Sequence, residues 1–275
     1  MINFRYILSH SIFVAFCAAA LGLQTFQLLQ IPFSLLILGL LFFATLAAYN
    51  FYWMLSKFFF CRQSQLPIQL KSFVSHFIFF IGSSIVVMDC VWQQPQMLTP
   101  VFGASIFTFI YAVLFSQNNR KQENKFLLVF KSVLLALTWS YITVYLPAIG
   151  FQSESKSALP KLFLHRFLFM WMLCIIFESK DLLAIQSQET GKILSQKTNI
   201  FLVVLMTIVL LTYAIHLLLT QQYFGGLKAV VLMGTGALTY LIFLLSLKPR
   251  SYYFYYFLVD GLMIFSSIAT YIASI

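Results

Sequence analysis

Apolar runs of about twenty residues constrain this chain more than any other feature, because each can span a bilayer. Nine of them follow one another, at roughly 6–28, 31–56, 72–92, 97–116, 126–149, 161–183, 199–220, 227–247 and 252–274. A helix rises about 1.5 Å per residue, so each run reaches across the roughly 30 Å hydrocarbon core. Hydrocarbon offers backbone N–H and C=O groups no partners, and a helix satisfies them internally. The nine runs nearly exhaust the 275 residues. The expected architecture is all-α: a polytopic nine-transmembrane-helix bundle, with residues 1–275 forming a single integral membrane domain.

Charge agrees with that reading. Only 9% of residues are charged, against about 25% in an ordinary soluble domain. The net charge is +10, from 17 Lys and Arg against 7 Asp and Glu. A nucleic-acid binder can carry such an excess. Here the basic residues sit at span ends, where anionic lipid headgroups account for them. Membrane lipids are therefore the expected partners, and no nucleic acid is. If spans alternate from the N-terminus, one side carries Arg5, Lys57, Arg62, Lys71, Arg120, Lys121, Lys125, Lys131, Lys180, Lys192, Lys197, Lys248 and Arg250. The other side has only Lys156, Lys161, Arg166 and Lys228. The positive-inside rule then places the N-terminus in the cytoplasm and the C-terminus outside, as expected for a bacterial inner-membrane protein.

Some chemistries lack their motifs. Cys17, Cys61, Cys90 and Cys174 form no CxxC pair, and His10, His76, His165 and His216 are scattered without an HExxH. Neither a disulfide framework nor a zinc site is expected. Arg5 and Ala18-Ala19-Ala20 give the first run some signal-peptide character, but retained spans follow, so it reads as a signal anchor. The Tyr252–Phe257 run beside Lys248 and Arg250 reads as an interfacial aromatic belt.

With so few acidic residues, their placement is informative. Glu178, Asp181 and Glu189 fall in one window at the cytoplasmic end of the sixth run. On a helix, i and i+3 share a face, so Glu178 and Asp181 can converge on one ligand. Two carboxylates at a membrane mouth can hold Mg²⁺, which completes its shell with water and phosphate oxygens. Lys180 and its neighbours can offset phosphate charge. Spacing alone favours a plainer reading, a solvated helix end in which these acids pair with local lysines.

The window resembles the second aspartate-rich motif, approximately DxxDxxxD, of the UbiA-type intramembrane prenyltransferases. Glu178 and Asp181 stand at its first two acidic positions and Ile185 at the third. Arg166-Phe-Leu-Phe resembles the approach to that motif, and Asn124 to Pro147 is similar to the fifth helix of bacterial members. The first motif, NDxxDxxxD, keeps Asn50 but has Phe51, Met54 and Phe58 at its acidic positions. In the YxxxK element Tyr111 is present and Phe115 replaces the lysine, with Arg120 and Lys121 close behind.

The resemblance implies a nine-helix UbiA-like bundle with a cytoplasm-facing cavity. It implies Mg²⁺-dependent transfer of a polyisoprenyl group from a prenyl diphosphate to a lipophilic, aromatic or lipid acceptor. Glu178 and Asp181 would bind one Mg²⁺ rather than two, and Asn50, Tyr111, Arg120, Lys121 and Lys180 would face the substrate. The eroded first motif keeps a second reading open, a catalytically inactive membrane binding protein on the same fold. A transporter is a third reading, but Asp89 and Asp260 lie toward span ends and no paired broken helix is apparent.

Overall fold

The structure is a computed structural model that describes residues 4–59, 66–116, 125–149, 157–190 and 196–275. Among these residues it is helical, with no strand. In chain order the helices are α1 (Phe4–Ser9), α2 (Ile12–Leu29), α3 (Leu35–Phe59), α4 (Leu66–Gln93), α5 (Leu98–Ser116) and α6 (Lys125–Ser140). They continue with α7 (Leu146–Ile149), α8 (Leu159–Thr190), α9 (Gln196–Phe224), α10 (Gly226–Ser246) and α11 (Asp260–Ile272). A π-helical turn, Tyr141–Tyr145, joins α6 to α7, and a second, Phe254–Val259, leads into α11.

Eight helical segments among the described residues are long and apolar enough to cross a membrane. The chain is an integral, multi-pass membrane protein. The 19-residue helix α5 occupies the fourth apolar run but is not one of the eight. The expected single first helix is interrupted at Ser11, which sits in the left-handed region at φ 60°. Gly225, at φ +86°, allows the tight reversal from α9 to α10 that a side chain would strain.

The bundle is built around α8, which packs on α2, α6, α9 and α10. Its apolar window is 72% buried, against 17% for α4, so α8 is the central helix and α4 a peripheral one. Ile78, Ile85 and Met88 on α4, and Leu211 and Leu219 on α9, are exposed. Such side chains need no protein cover where hydrocarbon is the solvent.

Polar ties hold the interior. Gln24 on α2 donates to the Ser266 hydroxyl and carbonyl and to Thr270 on α11, at 2.8–3.1 Å. Thr25 donates to the Thr143 carbonyl in the first π-turn at 2.7 Å. Arg166 is fully buried. Its Nη2 reaches the Leu21 carbonyl at 3.2 Å and the Thr25 hydroxyl at 3.3 Å, while Nε and Nη1 have no hydrogen-bond partner.

Candidate functional site

At one end of the bundle, side-chain contacts link the C-terminal parts of α3 and α5 to each other, and the C-terminal part of α8 to α10 and to the N-terminal part of α6. Tyr52 on α3 lies 5.6 Å, ring to ring, from Tyr111 on α5. Lys131 on α6 pairs with α8, and Ser179 on α8 meets Ser246 on α10, hydroxyl to hydroxyl, at 3.1 Å.

The centre of this end is an ion cluster. Helical spacing puts Glu178 and Asp181 one turn apart on one face of α8. The Lys131 Nζ lies 3.0 Å from Glu178 Oε1 and 3.4 Å from Asp181 Oδ2. The side chains differ in wetness: Glu178 is 10% exposed, Lys131 21% and Asp181 53%. The inner bond is therefore dry and the outer one reaches water. Trp171 Nε1 on α8 donates to Ser132 Oγ on α6 at 3.0 Å, which pins the backbone beside Lys131. Lys180 turns to the last span, donating to the Tyr256 hydroxyl at 2.8 Å.

An apolar cavity of about 110 Å³ lies between α3, α5 and α6, lined by Thr45, Ala48, Tyr49, Tyr52, Thr108, Tyr111, Leu135, Thr138, Trp139 and Ile142. Leu135 is four residues after Lys131, one helical turn along the same face of α6. The cavity therefore begins about one turn below the ion cluster. Its volume is somewhat less than the roughly 150 Å³ that admits a benzene-sized guest.

The expected site residues separate into three groups. Glu178, Asp181 and Lys180 gather at the cluster, and Tyr111 lines the cavity. Arg120 and Lys121 lie outside the described residues, as do the side chains of Phe58, Phe115, Ile185 and Glu189. Asn50 is elsewhere and does not face the cavity. One residue beyond Tyr49, it is turned about 100° around α3. Its buried amide donates to the His10 carbonyl at 3.2 Å and the Leu46 carbonyl at 2.8 Å, and accepts from His76 Nδ1 at 2.7 Å. The His10 and His76 rings stack at 4.8 Å. Phe51 packs on Phe80 of α4 at 5.5 Å.

Among the described residues no group of three or more His, Cys, Asp or Glu can hold a metal ion. Glu178 and Asp181 do converge, and the Lys131 ammonium between them marks a space that suits a cation. The pair thus fits Mg²⁺ bound through a few carboxylates and ligand phosphates. Sequence reasoning treated Lys131 only as part of the cytoplasmic charge count. Its signal was available: a lysine within the 126–149 apolar run is costly and wants a partner.

Comparison with protein-family models, characterised proteins and solved structures finds no match.

Proposed function

We propose that this chain is a UbiA-like prenyltransferase homologue with nine spans, α5 being the ninth, that transfers a polyisoprenyl group from a prenyl diphosphate to a lipophilic acceptor. The supporting observation is the pairing of two carboxylates and two ammonium groups with an aromatic-lined apolar cavity about one turn below. An amphiphile with an anionic head and an apolar tail needs both halves. Glu178 and Asp181 are the residues that would hold Mg²⁺, which when bound stabilises charge developing on a leaving diphosphate. Lys180 and Lys131 supply charge-assisted donors to phosphate oxygens. The rings of Tyr52 and Tyr111 line the cavity, and aromatic faces would attract an allylic cation formed beside them.

A second reading keeps the binding and drops the chemistry. It is favoured by Lys131, which already neutralises the acidic pair, and by Phe51 and Met54, which cannot ligate Mg²⁺. Calorimetry with a prenyl diphosphate, with and without Mg²⁺, tests what both readings share. The expected result is Mg²⁺-dependent binding that Asp181→Asn weakens strongly. Equal affinity in wild type and variant, with and without Mg²⁺, refutes the prenyltransferase; no binding under any of these conditions refutes both. Release of diphosphate in the presence of aromatic or lipid acceptors then separates the transferase from the binder.

A further inference from the structure

The Lys131 ammonium stands where two carboxylates spaced i, i+3 converge, 3.0 Å from one and 3.4 Å from the other. A divalent cation on the same pair needs that position, and the two cannot share it. We infer that Lys131 is a displaceable counter-ion. It holds the carboxylates until a phosphate-bearing ligand offers its ammonium new acceptors, and only then does the divalent cation enter. This rests on the reading of Glu178 and Asp181 as a metal site.

Burial supports the resting arrangement. The Glu178 carboxylate is nearly dry, and a charge so placed is costly without a partner. Exposure supports the exchange. Asp181 is half in water and holds the longer bond, so an incoming ligand meets the weaker contact first. The lysine stem is flexible, with rotatable donors at its tip, so the ammonium can move several ångströms while Trp171 and Ser132 keep the helices fixed.

The displaced ammonium decides the coupling. At 21% side-chain exposure, Lys131 gains little from water when it leaves the acids. A divalent cation arriving alone strands it. A divalent cation arriving with a phosphate headgroup gives it oxygens to bind. The two ligands must then raise each other's affinity by the same factor. The ligand class follows: an anionic phosphate or diphosphate head rather than a neutral amphiphile.

The test is calorimetry on the full chain in detergent micelles, with Mg²⁺ alone and Mg²⁺ with inorganic diphosphate. In wild type, diphosphate is expected to tighten Mg²⁺ binding about tenfold or more. In Lys131→Met, Mg²⁺ alone is expected to bind about tenfold tighter than in wild type, with the diphosphate effect below about threefold. Lys131→Arg, whose planar fork grips carboxylates harder, is expected to weaken Mg²⁺ alone. It keeps the charge and carries the test if the methionine variant does not fold. If Mg²⁺ and diphosphate bind wild type through Asp181 but neither variant changes Mg²⁺ affinity, Lys131 is not the stopper and the metal site stands. If Mg²⁺ does not bind wild type even with a prenyl diphosphate, the metal site falls and the inference falls with it.

Discussion

Replacing Asn50 with alanine separates a structural role from a ligand-binding one. The amide makes two bonds to other elements, to the His10 carbonyl and to His76 Nδ1, and one within its own helix. Its NH₂ faces carbonyls, so the amide oxygen is the acceptor and His76 carries its proton on Nδ1. Interhelical hydrogen bonds in bilayers average about 0.6 kcal/mol, so two contribute roughly 1.2 kcal/mol. The residue is fully buried, and the hole left by the amide adds about 1 kcal/mol. Asn50→Ala should therefore cost about 2 kcal/mol in a reversible SDS titration from mixed micelles. Mg²⁺–diphosphate affinity should stay within about twofold, because none of the amide's bonds reaches the ion cluster. Asn50→Ala combined with His76→Ala should cost less than the sum of the two. Unchanged stability with lost ligand affinity would refute this and return Asn50 to the substrate site.

Gly236→Ala should destabilise by about 1–3 kcal/mol in the same titration. Its Cβ would lie 2.6 and 2.9 Å from the Tyr213 ring, which is buried and tied by its hydroxyl to the Leu232 carbonyl. Gly234→Ala, with nothing within 4 Å, should be neutral or gain up to about 1 kcal/mol. Arg166→Met should leave stability unchanged or raise it by about 1 kcal/mol, because it removes a buried charge with two unpartnered nitrogens; a large loss measured by SDS titration would show that its two bonds to α2 dominate. Reporter fusions should find the N-terminus inside and the C-terminus outside; both termini on one side would remove the ninth span.

The apolar runs were legible because hydrocarbon tolerates few charges, and each run contains a helix in the structure. Breaks within runs were less visible. The turn at Ser11 and the π-turn at Tyr141–Tyr145 depend on backbone packing rather than on apolar length. That Glu178 and Asp181 share a helix face was legible from the i, i+3 rule, although spacing alone favoured a solvated helix end. Their counter-ion was not, because Lys131 is 47 residues away from Glu178 in the chain and only the packing of α6 on α8 brings them together. For Asn50 the motif gave a position along a helix but not the face its side chain takes, and the amide bonds to His10 and His76. Tyr111 was picked out by its place in the YxxxK element, whereas Tyr49 and Tyr52 were hidden among so many other aromatics.

The π-turn between α6 and α7 makes chain length part of the site's design. A π-turn closes its hydrogen bond one residue later than an α-turn. Lys131, Leu135 and Trp139 lie before it, and the Thr143 carbonyl that receives Thr25 lies within it. Deleting one residue here would restore a regular helix at no cost in apolar content, yet rotate one half of the span about 100° against the other. Either the Glu178 carboxylate would lose its ammonium or Thr25 would lose its carbonyl, with no charged residue altered. Among descendants of this chain, a one-residue gap in the middle of the fifth apolar run should therefore travel with changes at Thr25, Glu178 or Asp181.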